Sequence, residues 1–267
     1  MRDNLPDLNS YAPGGLRAQW TLIFLWAGLV ANIFAIIGNG LHLVLSSALD
    51  DSSNLLLNSG GEYEPQSALE FVQLVAVLTS GLLAVLQVVI YIATIIAFLM
   101  WIHRAYRNLE PLGVKHPQYS PGWAVGAWFV PFLNLVRPFQ IIREIWTESD
   151  PEVTVATAVT GERYIESLNL MHQDWKTPDF LGWWWGLWIA SNVASNISRR
   201  LSSMEGGKSE LVGALSVEII ASALTAIAAF LAIKVVRGIT ARQNERYNRL
   251  AKEILPPFAP SMIPFQQ

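Results

Sequence analysis

Residues 71–101 read FVQLVAVLTSGLLAVLQVVIYIATIIAFLMW, and none of these 31 residues is charged. An α-helix rises 1.5 Å per residue, so about 20 apolar residues cross the roughly 30 Å hydrocarbon core of a bilayer. A helix that is apolar on every face lies either in a membrane or in the core of a large protein. In a chain of 267 residues, this stretch predicts a transmembrane helix.

Three more stretches have the same character, at residues 20–47, 180–197 and 211–236. Over the whole chain, 52% of residues are hydrophobic and 15% are charged, against about 25% charged in an average soluble domain. We therefore predict an all-α fold, a polytopic membrane helix bundle with four transmembrane helices.

A fifth apolar stretch, PGWAVGAWFVPFLNLV at residues 121–136, is shorter and contains Pro131. A proline inside a helix removes a backbone hydrogen bond and breaks the helix. We expect this stretch to enter the membrane without crossing it. It would form a re-entrant or interfacial broken helix that continues to residue 147.

The positions of Lys and Arg predict the orientation, because cytoplasmic loops carry an excess of both. The loop 48–70 has neither, whereas residues 103–120, 137–179 and 237–252 hold most of them. Only the second outer loop departs from the rule, so we expect both termini in the cytoplasm. The predicted divisions are a cytoplasmic N-terminal segment at 1–19, a membrane domain at 20–240, and a cytoplasmic basic helix with a proline-rich tail at 241–267.

The sequence contains no recognisable catalytic centre. There is no cysteine, which excludes disulfides, thiolate nucleophiles and cysteine metal sites. No metalloprotease, phosphate-loop or Ser-His-Asp pattern is present. The net charge of −3 gives no reason to expect nucleic acid. We therefore expect no enzyme activity, no metal and no cofactor.

Small residues recur every four positions in the stretch 180–197, at Gly182, Gly186, Ala190 and Ala194. Such a ladder lets two helix backbones approach closely, so that van der Waals contact drives their association in lipid. The ladder favours packing within this chain. It also leaves open a contact face for another membrane protein.

Four tryptophans crowd the beginning of the same stretch. Tryptophan is enriched where the membrane meets water, because its ring is apolar and its N–H is polar. We expect this cluster to contact membrane lipids at headgroup level, and a bound pigment, quinone or ordered lipid is the alternative. The four residues are Trp183, Trp184, Trp185 and Trp188.

Glu218 is the one acidic residue well inside a predicted span. A charge in the middle of a bilayer costs about 2.5–3.5 kcal/mol, so such residues usually have a partner or a function. Candidate partners are Arg199, Arg200 and His42. A neutral Glu218 or one that reaches the outer interface is the other structural interpretation, and proton transport is the functional one.

The region around the broken stretch resembles a bacterial integral-membrane family described as a domain of unknown function. The shared pattern is an Arg-Asn pair after a span, here Arg107 and Asn108, followed by W-F-V-P-x-x-N-L-x-x-P-x-x-x-x-x-E-x-W. The resemblance covers roughly residues 71–240 and implies a bacterial inner or internal membrane. The motif positions here are Trp128, Phe129, Val130, Pro131, Asn134, Leu135, Pro138, Glu144 and Trp146.

The motif also contains a group of polar residues at the expected membrane surface. Asn134 and Arg137 lie at the turn before a short amphipathic helix, and Gln140, Arg143 and Glu144 are expected to face outward from that helix. One interpretation is that this group fixes the broken helix in place. The other is that it recognises a lipid head group or a cytoplasmic partner.

The sequence therefore predicts a non-catalytic integral membrane subunit that binds and stabilises a larger membrane protein complex. Its partners would be membrane lipids and other membrane protein subunits. A transporter or channel for a small solute or ion is the first alternative. It would use Glu218 and the broken helix at Pro131, since discontinuous helices often mark transport sites. A membrane sensor that relays to a cytoplasmic partner is the second alternative.

Overall fold

The computed structural model describes residues 6–59, 66–152, 177–203 and 208–254. Predictions for the linker 149–178, the loop 48–70 and the proline-rich tail lie wholly or partly outside these residues.

All regular secondary structure in the described residues is helical, which confirms the predicted all-α class. Two short 3₁₀ helices, Leu8–Ser10 and Leu133–Leu135, accompany six α-helices. The α-helices are α1 (Gly15–Ser59), α2 (Gln66–Arg107), α3 (Pro121–Gly126), α4 (Arg137–Glu148), α5 (Phe180–Ser202) and α6 (Lys208–Ile254).

Three of these helices are long and apolar enough to cross a membrane, which indicates a membrane protein. They are α1 at Gly15–Leu41, α2 at Gly81–Arg107 and α6 at Val212–Ile254. Helix α5 has 23 residues, or about 35 Å of helix, but its serine and asparagine side chains lower its hydropathy. The predicted count of four spans is therefore not confirmed.

The predicted break around Pro131 is present. Helix α3 has six residues and rises about 9 Å, which is too short to cross a bilayer. Turns and the 3₁₀ helix Leu133–Leu135 follow it, and α4 then begins at Arg137. Pro138 lies in the first turn of α4, where its missing N–H costs no helical hydrogen bond.

Contacts divide the chain into two compact units. Unit 1 consists of Met1–Leu22, Ile96–Gly182 and Ile233–Gln267, and unit 2 consists of Ile23–Ile95 and Trp183–Ala232. The described part of unit 1 has a core of large side chains that are less than 2% exposed. They include Trp101, Ile102, Tyr106, Leu109, Leu112, Ile141, Ile142, Ile145, Ile239 and Leu250.

Unit 2 exposes far more apolar surface. In α2, apolar side chains point outward around the whole circumference of the helix, and Leu82, Leu83 and Val85 are 62–71% exposed. Small residues such as Ala221 and Ala228 are buried instead. Exposure of this kind is expected of a helix that contacts lipid or another membrane helix, because apolar side chains are not in contact with water in either environment.

Candidate functional site

Glu144 is buried in unit 1, although the sequence predicted that it faces outward. Its side chain is 9% exposed. Its Oε1 accepts a hydrogen bond from the Gln118 backbone N–H at 2.5 Å, and its Oε2 lies 2.9 Å from the Tyr106 hydroxyl. The prediction is wrong because helical spacing puts Glu144 beside the buried Ile141 and Ile145, and the segment after α2 covers it with a backbone donor.

The Tyr106 hydroxyl has two acceptor oxygens within hydrogen-bond distance, but it has only one hydrogen to donate. It accepts the Tyr119 N–H at 2.7 Å and lies 2.9 Å from both the Tyr119 carbonyl and Glu144 Oε2. A phenol has one hydrogen, so it can donate to only one of these oxygens. A neutral Glu144 would donate to Tyr106 and satisfy every group. Burial raises the pKa of Glu144 and favours this neutral form.

Asn108 joins the end of α2 to the N-terminal segment. It is 1% exposed, and its Nδ2 donates to the Ala12 carbonyl at 2.9 Å and to Gln243 Oε1 at 3.4 Å. Gln243 Nε2 in turn donates to the Ala105 carbonyl at 2.8 Å and to Ser149 Oγ at 3.2 Å. Of the predicted Arg-Asn pair, Asn108 therefore holds segments of unit 1 together. Arg107, the last residue of α2, is exposed.

The end of α4 packs on α6. Trp146 lies over Gly238, where an added Cβ would stand 2.5 Å from the indole ring, and the Arg242 guanidinium lies 4.9 Å from the centre of that ring. Arg246 is 2% exposed and donates to the carbonyl of Glu148. This arrangement is favourable, because the carbonyls at a helix C-terminus lack helical partners and carry partial negative charge.

Arg137 is at the start of α4 and remains exposed. Its Nη1 donates to the Tyr119 hydroxyl at 2.8 Å and to Gln140 Oε1 at 3.2 Å. The Tyr119 hydroxyl also donates to Gln140 Oε1 at 3.0 Å, and the guanidinium lies 5.4 Å from the centre of the Tyr119 ring. Three side chains thus hold one another, and two of them, Tyr119 and Arg137, line a cleft of about 440 Å³.

An exposed apolar surface adjoins this cleft, and we name it the apolar tip. It consists of Phe129, Phe132, Leu135 and Val136, which are 69%, 85%, 49% and 53% exposed. Phe132 follows Pro131 and has a φ of 64°, a left-handed conformation that bulky residues rarely adopt.

The remaining motif residues have mixed positions. Trp128 is half-buried and meets Phe98 edge to face at 5.5 Å. Asn134 lies in the 3₁₀ helix and Pro138 is buried. Arg143 is exposed on α4, so its predicted outward orientation is correct. Gln140 is also exposed, but it is bound to Arg137 and Tyr119 rather than free for a partner.

The glycine ladder of α5 does not pack tightly. Gly182 and Gly186 are exposed, and no described atom comes within 4 Å of a Cβ built on either. Ala190, the third residue of the ladder, is exposed, and Ala194, the fourth, is half-buried; Val193 and Ile197 continue the exposed face. At these positions the ladder is an outward face rather than an internal seam.

The four tryptophans of α5 divide between outside and inside. Trp183 is 67% exposed, whereas Trp184 and Trp185 are 4% and 7% exposed. Trp185 stacks on the half-buried Trp188 with ring centres 4.9 Å apart. The first of the four therefore has the position of a lipid-facing or partner-facing residue, and the other three pack.

Glu218 lines an open cleft of about 390 Å³ in unit 2, together with Arg199 and three serines. No ion pair joins Glu218 to Arg199 in the part of the chain that the structure describes. Arg199 donates instead to the Ser195 carbonyl at 3.2 Å and to Asn196 Oδ1 at 3.4 Å. The side chain of His42 lies outside the described residues, so that candidate partner remains untested.

Sequence reasoning missed several residues of unit 1 that fix the site. On α6, Ile239, Gln243, Arg246 and Leu250 are each at most 3% exposed. Their spacing of i, i+4, i+7 and i+11 is that of one helix face. The apolar residues at both ends of this face could have revealed it, but the basic composition indicated a solvated helix. Tyr11 was missed as well, and its hydroxyl donates to Asn244 Oδ1 at 2.8 Å.

Comparison with known proteins gave one result. No curated protein and no solved structure matches the chain. The family model described as a domain of unknown function, DUF4328, matches residues 68–241. The match covers well over half of the sequence and includes Asn108, Glu144, Gly186 and Glu218. The chain therefore belongs to the DUF4328 family, as the resemblance in its central region predicted.

Proposed function

We propose that this chain is a non-catalytic membrane subunit that binds and stabilises another membrane protein through the outward face of α5. The observation that carries this proposal is the open space over Gly182 and Gly186. A glycine on a spanning helix lowers helix propensity by about 0.8–1 kcal/mol relative to alanine in water. Two glycines one turn apart on an exposed face are therefore costly unless a second helix approaches them.

The rest of the face suits such a contact. Ala190 continues the small-residue ladder, and Val193 and Ile197 follow it with 54% and 48% exposure. In lipid, helices associate through close packing, because burial of apolar surface brings no gain over the lipid itself. A groove that begins with glycine and ends with branched side chains offers that packing to a complementary helix.

The topology we propose has four spans, with α5 as the fourth. Tyr11 is bonded to Asn244, and Asn108 is bonded to Ala12, so these residues belong to one side of a membrane. Between Ala12 and Asn108 the chain has two candidate spans. The third candidate span, in α6, begins at Val212 and is 43 residues long, so its apolar part precedes Asn244. Asn108 and Asn244 are then separated by this one span, and a return to the same side needs an even number. The contacts therefore support a crossing by α5.

The same contacts support a chain that does not cross between residues 121 and 136. Gln118 is bonded to Glu144, and Gln243 is bonded to Ser149, so both ends of the broken stretch belong to the side of Asn108. Most Lys and Arg of the chain lie in unit 1. Because cytoplasmic segments carry an excess of Lys and Arg, unit 1 would lie on the cytoplasmic side of a bacterial inner membrane.

Photo-crosslinking in native membranes tests the subunit role. A benzophenone side chain at Ala190 should give an adduct with a different membrane protein. The same group at Ile37 of α1, which is 60% exposed, should react mainly with lipid. Gly186→Leu should abolish the Ala190 adduct, whereas Gly38→Leu should preserve it, since Gly38 is equally open.

Two outcomes would contradict the proposal. If Ala190 gives only lipid adducts, the face has no protein partner. If the adduct has twice the mass of the chain, the face serves self-association, and the accessory role is wrong. The bulky substitutions should not unfold the chain, because neither glycine has described atoms within 4 Å of its Cβ. Circular dichroism of both variants checks this.

A transporter or channel is the second candidate, and the cleft beside Glu218 is the observation that favours it. The cleft is open, and it combines a carboxyl group, the Arg199 guanidinium and the hydroxyl of Ser202. A half-buried acidic side chain within a spanning helix is a frequent component of proton and ion pathways. Proton or ion flux into liposomes should then fall in Glu218→Gln, and flux that stays at the level of protein-free liposomes for wild type excludes this role.

A further inference from the structure

Arg137 is the one charged residue among the described residues that line the cleft beside α4. The cleft is lined by Tyr119, Ser120 and Arg137 at its polar side and by Ala127 and Ile141 at its apolar side. None of the described residues that line it is acidic. A cleft of about 440 Å³ is large enough for a small charged group and part of the molecule that carries it.

The side chain of Arg137 is held in place by hydrogen bonds that use only one of its three nitrogens. Both of its hydrogen bonds, to Tyr119 and Gln140, leave from Nη1. Among the described residues, its Nε and Nη2 make no hydrogen bond. A guanidinium has five N–H donors in a planar fork that matches the oxygens of phosphate and carboxylate groups. The fixed side chain therefore presents one edge of this fork to a ligand without loss of rotamer freedom on binding.

The nearest buried carboxyl group does not cancel this charge. Glu144 lies behind the cleft, and its two oxygens are engaged by Gln118 and Tyr106. Burial raises the pKa of Glu144 and favours its neutral form. The cleft therefore has a net positive character.

The apolar tip lies next to Arg137 in the chain, since its last residue is Val136. Phe132 is 85% exposed, and its left-handed backbone, with a φ of 64°, is strained. An aqueous surface offers no compensation for an outward phenylalanine held in such a conformation. At a membrane interface the tip would insert among acyl chains, and Arg137 would lie at headgroup level, as in interfacial elements that combine apolar and cationic residues.

We infer that this cleft binds the phosphate of an anionic phospholipid, with Arg137 as the phosphate ligand and the apolar tip against the acyl chains. A zwitterionic lipid fits less well, because no acidic side chain lines the cleft to hold its cationic headgroup. Free phosphate would use Arg137 alone and leave the apolar tip uncovered. The inference is independent of the outward face of α5 and of any partner there.

Native mass spectrometry of the full chain in detergent tests this inference, with phosphatidylglycerol, phosphatidylcholine and inorganic phosphate as separate probes. Wild type should retain phosphatidylglycerol about tenfold more than phosphatidylcholine, because the choline group of phosphatidylcholine brings a second positive charge close to Arg137. Arg137→Gln should lower the retention of phosphatidylglycerol about tenfold. Arg143→Gln is the matched control, since it removes an exposed arginine of the same helix that does not line the cleft, and it should leave retention unchanged.

Two further variants separate binding from folding. Arg137→Lys keeps the charge but loses the fork, so its retention should lie between those of wild type and Arg137→Gln. Phe132→Ser removes part of the apolar tip and should weaken lipid retention without affecting phosphate. Equal retention in wild type and Arg137→Gln, with equal unfolding temperatures, would overturn the inference. Displacement of the lipid by millimolar inorganic phosphate would overturn the assignment to a phospholipid.

Discussion

The indole ring of Trp146 occupies the space that a side chain at position 238 would need. A Cβ on Gly238 would stand 2.5 Å from Cζ3 and 2.7 Å from Cη2 of that ring. The ring cannot move away easily, because Phe180 meets it edge to face at 5.5 Å and Arg242 covers it at 4.9 Å. This contact joins α4 to α6 inside unit 1.

Gly238→Ala should therefore destabilise the protein, although alanine is the better helix former. The gain in helix propensity is about 0.8–1 kcal/mol, and overpacking typically costs about 1–3 kcal/mol. We expect a net loss of about 1 kcal/mol, measured as a lower midpoint of thermal unfolding in detergent. Gly38→Ala is the control, with no described atom within 4 Å of its Cβ, and its midpoint should not fall. Equal midpoints for the two variants would contradict the close contact.

Glu144→Gln should change the pH dependence of stability. The native pKa of Glu144 is raised above its ordinary value of 4.5 by burial, so the native state keeps this proton to higher pH than the unfolded chain. The resulting stabilisation is complete below pH 4.5 and is lost as the pH rises through the raised pKa. The midpoint of wild type should decline relative to that of Glu144→Gln over this interval.

At neutral pH, Glu144→Gln should be at least as stable as wild type, since an amide can accept from Gln118 N–H and donate to Tyr106. Glu144→Ala leaves the Gln118 N–H without its acceptor and should cost about 1–3 kcal/mol. A parallel decline of wild type and Glu144→Gln with pH would indicate that Glu144 has the same pKa in the native and unfolded states, and would contradict the raised native pKa.

Two arginines on α6, three positions apart, should differ sharply in their contributions. Arg246 is 2% exposed and donates to the Glu148 carbonyl. Arg246→Ala should therefore lower the free energy of unfolding by about 1–3 kcal/mol. The side chain of Arg249 is 50% exposed and pairs with Glu245 at 2.5 Å. Arg249→Ala should cost only about 0.3–0.5 kcal/mol. Similar losses in chemical unfolding would rule out a structural role for Arg246.

Tyr11→Phe should weaken the attachment of the N-terminal segment. The substitution removes the hydrogen bond to Asn244 at 2.8 Å but keeps the ring stacked on Tyr247, with centres 4.5 Å apart. We expect a loss of about 0.5–1.5 kcal/mol and faster proteolysis near residue 11. Tyr247→Phe keeps the same stacked pair and should behave like wild type. Protection from protease that is unchanged in Tyr11→Phe would argue against this bond.

The sequence predicted the spanning helices and the broken helix for physical reasons that act locally. Residues 71–101 contain no charged residue over a length that suits a membrane-spanning helix. A proline such as Pro131 interrupts a helix whatever the rest of the fold. The family was predicted as well, from a resemblance centred on residues 128–146, and the family match over residues 68–241 confirms it. These features depend on neighbouring residues in the chain.

The prediction failed where distant segments decide the environment of a side chain. Helical periodicity put Glu144 at the edge of the polar face, but only the folded segment at Gln118 supplies the donor that lets it be buried. Gln243 and Arg246 read as a solvated helix, because nothing nearby in the sequence indicates that Asn108 and Glu148 come to meet them.

The bond between Tyr11 and Asn244 has a consequence for how the protein is made. The two residues are 233 positions apart, and a ribosome adds about 5–20 residues per second, so Tyr11 waits on the order of 10–50 s for its partner. During that time the apolar surface of Leu8 and Tyr11 has no α6 to cover it. The N-terminal corner of unit 1 is thus completed last, and a chaperone or the translocation machinery has an interval in which to hold the nascent chain.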